Sequence, residues 1–241
     1  MEREDTDLML ATARRWFRAN QPLETRVAAF KAGHHEAPGA WAAMADMGWL
    51  GLSLPEAAGG LGAGQSACFA LIREAGRDAR PEPLDLQLLL APLLAGAMPE
   101  HAEALAAGRL RFAMADTSSG PEAVRWAGTD RLEGQAGTVL GMAHASHLLL
   151  PVGQGDQATL ALVDLSAPGI ASEAARLVDG RSTQLIGCSQ APARRVGSGL
   201  AQQAIDLAAA AQIADSAGVL DAAFALTLDY LKQRVQFGKP L

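Results

Sequence analysis

The residues best suited to chemistry form the stretch Arg234-Val235-Gln236-Phe237-Gly238 near the C-terminal end of the sequence. The Arg side chain carries a permanent charge on a planar fork of donors that suits a phosphate, and the Gln amide adds donors and an acceptor. The Phe ring can cover such a contact from water. Because a long Ala-rich segment precedes the stretch, it predicts a ligand site where a helix ends. The alternative is a surface Arg in a last helical turn, where the helix dipole favours a cation by about 0.3–1 kcal/mol.

Two histidines and two cysteines are the other reactive candidates. His144 and His147 lie among apolar residues and have no Ser, Cys or carboxylate partner in the local segment. We therefore expect both to be ordinary polar residues at a strand edge and not catalytic groups. Cys68 and Cys188 are far apart and have no Cys or His at metal-ligand spacing. We therefore predict neither a metal site nor a disulfide, and expect both cysteines to be buried.

The composition is that of a folded protein with a large core. The chain has 241 residues, of which 49% are hydrophobic and 19% are charged, and its formal net charge is −6. An acidic chain is not expected to bind nucleic acid or an anionic membrane surface. The acidic N-terminus is followed by no apolar segment of a secretory signal, and no apolar run reaches the ~20 residues of a membrane span. A cytoplasmic location is the expectation.

The elements that must position these residues change in type twice. From Asp5 to about Gly108 the apolar spacing is helical, and from about Gly199 to Val235 an apolar stripe predicts one long helix. Between them lie short apolar runs bounded by turn residues, which predict strands at Leu110–Ala115, Gly137–Leu140, His147–Val152 and Ala158–Val163. The many alanines and Gly218 allow other helices to approach the long helix closely.

These changes predict an α+β chain with three parts. Residues 1–109 form an all-helical N-terminal domain, and residues 110–197 form a small antiparallel β-sandwich or barrel. Residues 198–241 form the first long helix of an incomplete C-terminal helical bundle. No Rossmann unit is visible in the sequence.

Three motifs in this order resemble the acyl-CoA dehydrogenase family. The first runs from Met47 to Gly62, with Pro55-Glu56 and Gly59-Gly60-Leu61-Gly62, and is followed by Glu74-Ala75-Gly76-Arg77. It is similar to the family's Pro-Glu, Gly-Gly-x-Gly and Glu-x-Gly-Arg signatures. The structural alternative is a set of tight turns that need positive φ at Gly59, Gly60 and Gly62. We expect helix-capping or ion-pair roles for Glu56 and Glu74.

The second motif is the strand that leads into Ala115-Asp116, where the family has a flavin-facing Thr-Glu. The missing Thr hydroxyl removes one hydrogen bond to the flavin ring, typically worth about 1 kcal/mol. We align the family's Lys-x-Trp-Ile-Ser/Thr stretch with Gly141–His147, which lacks the aromatic residue and retains Ser146. The resemblance therefore implies Ala115, Asp116 and Ser146 as positions near the flavin.

The third motif is the terminal stretch itself. In the family an Arg-x-Gln-Phe-Gly sequence contacts the pyrophosphate of FAD, often on the neighbouring subunit. The resemblance therefore implies FAD as cofactor, with Arg234, Gln236 and Phe237 as its contacts. It also implies an acyl-CoA substrate, an oxidation to the 2,3-enoyl-CoA in lipid metabolism, and an electron-transfer flavoprotein as a candidate electron acceptor.

The residue that removes the α proton is not found in this sequence. Most family members carry a Glu base late in the C-terminal domain, and a minority place it directly after the Arg of the terminal motif. Val235 occupies that second position, and an aliphatic side chain cannot accept a proton. We therefore assign no catalytic residue, and expect the isolated chain to be inactive.

Two explanations remain open, and both can hold. The sequence is a fragment of a longer flavoenzyme subunit, or it is a degenerate partner in a heteromeric acyl-CoA dehydrogenase whose other subunit supplies the base. Either one implies a homo- or hetero-oligomer, built as a dimer of dimers with an acyl-CoA dehydrogenase subunit. A third, weaker hypothesis is a helical interaction protein without a ligand. Acyl-chain or steroid specificity cannot be read from these residues.

Overall fold

The computed structural model describes residues 3–20, 22–31, 36, 39–115, 123–137, 139–142, 144–153, 158–176 and 182–240. Along these residues the elements follow one another in the order helical, β, helical. This order, together with two small sheets in the middle, confirms the predicted fold class. The domain boundaries at residues 109 and 197 stay predictions.

The first part is built from helices whose apolar sides meet. These helices are α1 (Arg3–Asn20), α2 (Leu23–Lys31), α3 (Ala40–Asp46), α4 (Gln65–Arg77), α5 (Leu84–Ala97) and α6 (Ala102–Ala106). Trp16, Phe17 and Trp49 form an edge-to-face cluster with ring centroids 5.5 to 5.7 Å apart. Such contacts add to the free energy of burial, so the cluster holds α1 on the rest of the helices.

A buried ion pair lies beside this cluster. Arg80 donates to Glu82 through hydrogen bonds of 3.0 and 2.9 Å, and the two side chains are almost wholly buried. The Arg80 guanidinium also lies 5.6 Å from the ring of Trp16 and 5.5 Å from that of Phe17. Because a buried charge without its partner is strongly destabilising, the α4–α5 connection must fold with both residues in place.

The glycine-rich turn before α4 uses its glycines for two different reasons. Gly59 and Gly62 have φ values of 78° and 60°, so the predicted left-handed conformation is confirmed there. Gly60 is needed for close approach, because a Cβ on it would lie 2.1 Å from the carbonyl oxygen of Leu54. The expectation of positive φ at all three residues is therefore wrong for Gly60.

Helix α5 contains a proline that the fold accommodates with a side chain. Pro92 has no backbone N–H to donate to the carbonyl of Leu88, four residues earlier. The hydroxyl of Ser53 donates to that carbonyl instead, at 2.7 Å. The buried carbonyl is thus satisfied, and the turn after α3 is joined to α5.

The middle part consists of two sheets. The strands are β1 (Phe112–Ala115), β2 (Arg125–Trp126), β3 (Arg131–Ala136), β4 (Val139–Leu140), β5 (His147–Val152), β6 (Thr159–Asp164), β7 (Ile170–Arg176), β8 (Ser182–Pro192) and β9 (Arg194–Ser198). One sheet has the order β4-β1-β5-β6-β9 and the other has the order β2-β3-β8-β7. The four predicted strands are β1, β4, β5 and β6, with ends within two residues of those expected.

Strand β1 separates two cores. Ala113 and Ala115 point into the core between the two sheets, whereas Phe112 and Met114 join a core with α5, α6 and the last long helix. The pairing of β1 with β5 is parallel, so the prediction of a wholly antiparallel part is wrong for this pair. The chain can make this pair because it visits β2, β3 and β4 between them, which gives the long connection that parallel strands require.

The long helix α7 (Leu200–Gln233) packs on α4 with direct backbone contact. A Cβ on Gly76 would lie 2.2 Å from the carbonyl oxygen of Asp215, and a Cβ on Gly218 would lie 2.0 Å from that of Arg73. Both glycines are buried inside helices. The closeness that the sequence predicted for Gly218 is confirmed, and α4 is its neighbour.

Helix α7 is also long and apolar enough to cross a membrane by length and composition alone. The expectation that no segment meets this criterion is therefore wrong. The first half of the same helix contributes Ala201, Ala204 and Ala211 to the two helical cores. A core helix satisfies the same criterion, so composition does not assign α7 to a membrane.

We expect Gly218→Ala to lower the free energy of unfolding by about 1–3 kcal/mol or more, because the added methyl forces the two helix backbones apart. Urea unfolding at 25 °C measures this change. Gly96→Ala in α5 is the control, since a Cβ there meets no atom within 4 Å. Removing a helical glycine should stabilise that variant by about 0.4–1 kcal/mol. Equal effects of the two substitutions would contradict close contact at Gly218.

We expect the thiol of Cys68 to be unreactive in the folded chain. Its side chain is fully buried, and burial raises its pKa to about 11, so the thiolate is scarce at pH 8. Burial also raises the pKa of Cys188. A disulfide reagent at pH 8 should therefore label neither thiol in buffer and both in denaturing urea. Rapid labelling of one thiol in the native chain would show that the core around it opens.

Candidate functional site

Helix α7 ends in a small hairpin. The last helical residue is Gln233, so the helix is two residues shorter than predicted, and Arg234 has the extended φ and ψ of −77° and 113°. Strand β10 (Val235–Gln236) pairs with β11 (Lys239–Pro240). The two residues between them, Phe237 and Gly238, both have positive φ, 52° and 76°. This is the pattern of a type I′ turn, which favours Asn-Gly and is uncommon with an aromatic residue first.

The side chains of the hairpin are presented to solvent. Arg234 and Gln236 are exposed, Val235 is 60% exposed, and Phe237 has a relative exposure of 102%. The guanidinium of Arg234 hydrogen-bonds the hydroxyl of Tyr230, one helical turn earlier. Exposed cationic and amide donors beside an exposed aromatic ring suit a ligand with an anionic part and a flat apolar part.

The apolar surface continues from the hairpin along α7. Its most exposed large side chains are Ile213, Leu220, Phe224, Leu226 and Tyr230, with exposures between 52% and 70%. Single exposed apolar residues are ordinary, but a run of them on one helix indicates a surface that another polypeptide covers. The hairpin is therefore placed at the end of a candidate interface.

Strand β1 carries the second set of predicted residues. Ala115 is 1% exposed and lies in the core between the sheets, opposite Val139 of β4. Neither side chain can donate a hydrogen bond. Asp116 lies outside the described residues. The sequence did not predict Val139 as the neighbour of Ala115. Val139 belongs to the strand predicted at Gly137–Leu140, so pairing of that strand with β1 was the signal that could have identified it.

Ser146 lies at the other end of β1. Its hydroxyl donates to the carbonyl oxygen of Arg111 at 3.0 Å, and its amide donates to the same oxygen at 2.9 Å. Arg111 precedes Ala115 by four residues, or about 13 Å along a strand. The structure does not bring Ser146 and Ala115 together, because the segment after β4 crosses the start of β1 to reach β5.

Arg111 anchors this crossing. Its guanidinium donates to both carboxylate oxygens of Glu36, at 2.7 and 2.9 Å, and lies 4.2 Å from the ring centroid of Trp41. Burial raises the pKa of Glu36, and the hydrogen bond and charge of Arg111 oppose that shift. The ion pair and the stacked ring hold the start of β1 against the N-terminal helices.

His147 has partners that the sequence analysis did not expect. Its Nδ1 lies 2.9 Å from the hydroxyl oxygen of Ser146, and Asp164 is its cross-strand neighbour. A hydroxyl that donates to the Arg111 carbonyl accepts from His147, so this arrangement requires the tautomer with its proton on Nδ1. Burial lowers the pKa of His147. Both contacts of the Ser146 hydroxyl are thus made within the fold. It has no proton left to donate to a ligand, and it is not placed to act as a nucleophile.

His144 and Glu74 complete the set of candidate titratable groups. His144 is exposed and has a φ of 60°, an uncommon value for a residue other than glycine. Glu74 accepts a hydrogen bond of 2.6 Å from Arg14, which matches the expected ion-pair role. Glu56 lies in the first turn of a short 3-10 helix. Within the described ranges, no three His, Cys, Asp or Glu residues are arranged to bind a metal.

We expect Ser146→Ala to lower the free energy of unfolding by about 1 kcal/mol and to leave FAD affinity unchanged, because the hydroxyl links Arg111 to His147. Urea unfolding and a flavin-binding titration measure the two effects. Ser66→Ala, at an exposed position of α4, is the control and should change neither. A loss of FAD affinity in Ser146→Ala without loss of stability would restore the flavin role that the sequence predicted.

Comparisons with known proteins point to one family. The family model described as "Acyl-CoA dehydrogenase, N-terminal domain" matches residues 3–119. "Acyl-CoA dehydrogenase FadE34" of Mycobacterium tuberculosis (strain ATCC 25618 / H37Rv) is 29% identical over 202 residues, which are 83% of this chain and 27% of that protein. The chain thus spans about a quarter of the length of this curated relative.

Solved structures agree over nearly the whole chain. The structure titled "Tcur3481-Tcur3483 steroid ACAD G363A variant" superposes with a TM-score of 0.89 at 29% identity, over 98% of this chain and 69% of that one. The ChsE4-ChsE5 complex from Mycobacterium tuberculosis gives a TM-score of 0.88 at 24% identity, over 100% and 70% of the two chains, and at this identity it supports the fold alone. The sequence motifs, the family model over residues 3–119 and the fold agree that this chain is similar to acyl-CoA dehydrogenases.

Proposed function

We propose that this chain is a subunit of an FAD-dependent acyl-CoA dehydrogenase and that it contributes the hairpin after α7 to the diphosphate of FAD. The observation that carries the proposal is the exposed set of Arg234, Gln236 and Phe237 on one preformed turn. These residues match the family motif that contacts FAD. The reaction class is α,β-dehydrogenation of an acyl-CoA thioester.

The donor chemistry of the hairpin fits the diphosphate. A guanidinium binds phosphate oxygens through parallel N–H donors, and an amide adds a further donor without adding charge. The exposed ring of Phe237 can shield that contact from water once a partner covers it. When bound, FAD would accept the hydride that leaves the β carbon of the acyl group, whereas the hairpin only binds and orients it.

The β1 position that the resemblance assigns to the flavin ring, Ala115, and its cross-strand neighbour Val139 fit less well. Ala115 and Val139 have no side-chain donors, and both are buried between the sheets. Only backbone groups of these two residues could then hydrogen-bond the ring. A loss of such a bond typically weakens binding by about 1 kcal/mol, so the hairpin would carry a larger share of the affinity.

A second candidate function is a non-catalytic partner subunit of a heteromeric enzyme. It is favoured by Val235, which stands where some family members carry the base, and by Ala115 in place of the flavin-facing Thr. Two of the similar structures are titled as pairs of different chains. In this arrangement an acyl-CoA dehydrogenase-type partner supplies the carboxylate that removes the α proton, and the exposed face of α7 meets that partner. Location in the cytoplasm and reoxidation by an electron-transfer flavoprotein remain part of this proposal.

The test is a titration of FAD into the purified chain in which the quenching of flavin fluorescence measures binding. Arg234→Gln keeps a polar side chain but removes the charge, and a charge-assisted hydrogen bond is worth about 1.5–3 kcal/mol. We therefore expect the dissociation constant to rise about tenfold or more. Arg125→Gln, an exposed arginine of β2, is the matched control and should behave as the unmodified chain.

Two outcomes separate the candidates. A chain that binds FAD alone supports the flavin-binding subunit, whereas FAD uptake only after mixing with an acyl-CoA dehydrogenase-type subunit supports the partner role. In that case one FAD per pair of chains is expected. If neither the chain nor any such mixture retains FAD through gel filtration, the cofactor proposal is wrong.

A further inference from the structure

The contact between Tyr230 and Arg234 connects α7 to the hairpin in two ways. The amide of Arg234 donates to the carbonyl oxygen of Tyr230 at 2.9 Å, which closes the last helical turn. One terminal nitrogen of the guanidinium, Nη1, also donates to the hydroxyl of Tyr230. Tyr230 is the single tyrosine of the chain. No other phenol is available for this role in the sequence.

The geometry shows which part of the tyrosine makes the contact. The guanidinium carbon lies 5.6 Å from the centroid of the ring, close to the outer limit of about 6 Å for a cation–π contact. The hydroxyl is therefore the main partner. It engages Nη1, and among the described residues the guanidinium of Arg234 has no other hydrogen-bond partner. The edge formed by Nε and Nη2 stays available for two parallel hydrogen bonds to a phosphate.

We infer that Tyr230 is a positioning residue for Arg234, which it holds so that the Nε and Nη2 edge faces the ligand. This inference rests on the proposed function, because the ligand is the diphosphate of FAD. An arginine in extended backbone beyond a helix end has four rotatable side-chain bonds and loses much of its freedom on binding. A hydroxyl that fixes the guanidinium beforehand reduces this loss, which is the general effect of preorganisation.

A purely structural role for Tyr230 predicts different experimental results. The tyrosine is 52% exposed and Arg234 is exposed, and contacts between exposed side chains generally contribute little to stability. A role only in packing would therefore change folding or nothing at all. A positioning role would change ligand affinity, and only while Arg234 is present.

The experiment is a double-mutant cycle on FAD binding, made with Tyr230→Phe, Arg234→Gln and the double variant of the 241-residue chain. If FAD needs the family partner, the same variants are measured in that complex. Tyr230→Phe keeps the ring and removes only the hydroxyl, so we expect binding to weaken about threefold to tenfold, the effect of one hydrogen bond. In the Arg234→Gln background the same substitution should have no further effect. Urea unfolding of Tyr230→Phe should match the unmodified chain.

A second measurement does not depend on FAD. The Nε–H signal of Arg234 in a nitrogen–proton NMR spectrum reports the guanidinium environment, and it is assigned by its loss in Arg234→Gln. Tyr230→Phe should shift or broaden this signal in the cofactor-free chain. An unchanged signal, or an equal loss of affinity in both backgrounds of the cycle, would overturn the inference. If no FAD binds but the signal moves, the proposed function fails while the positioning contact stands.

Discussion

The backbone contact between α4 and α7 determines where the candidate site can be. Gly76 and Gly218 let the two helices approach until a methyl group would overlap a carbonyl oxygen. Asp221 pairs with Arg73 on the same side at 2.7 Å, but both side chains are exposed enough for this ion pair to add little to the glycine contact. Because α7 is a stiff rod, fixing its middle on the N-terminal helices also fixes the position of the hairpin at its end.

The same helix joins the three parts of the fold. Its first half packs on α5 and on the face of the five-stranded sheet that is turned away from the other sheet. Strand β1 contributes to this core and to the core between the sheets. Arg111 ties the start of β1 to Glu36 and Trp41. A displacement of the N-terminal helices would therefore reach the hairpin only by way of β1 and α7.

Local patterns in the sequence predicted the helical parts and four strands of the middle part, but neither its remaining strands nor the long-range register. Helical spacing predicted α7 to within two residues, and short apolar runs bounded by turn residues predicted β1, β4, β5 and β6. The parallel pairing of β1 with β5, the place of Ser146, and its contact with His147 all depend on how distant strands align. Tyr230 was within reach, because a spacing of four residues places it beside Arg234 on a helix. The family motif begins at Arg234 and therefore does not include it.

Phe237 shows that the turn was not shaped by folding alone. A bulky side chain in the left-handed region is strained, and its full exposure forfeits the gain from burying an aromatic ring. Asn at the same place would relieve the strain and suit the turn better. Sequence redesign aimed at stability would therefore replace this residue first and would remove the aromatic surface that the hairpin offers to another molecule. In this chain, a residue that is unfavourable for folding is therefore a guide to what the hairpin binds.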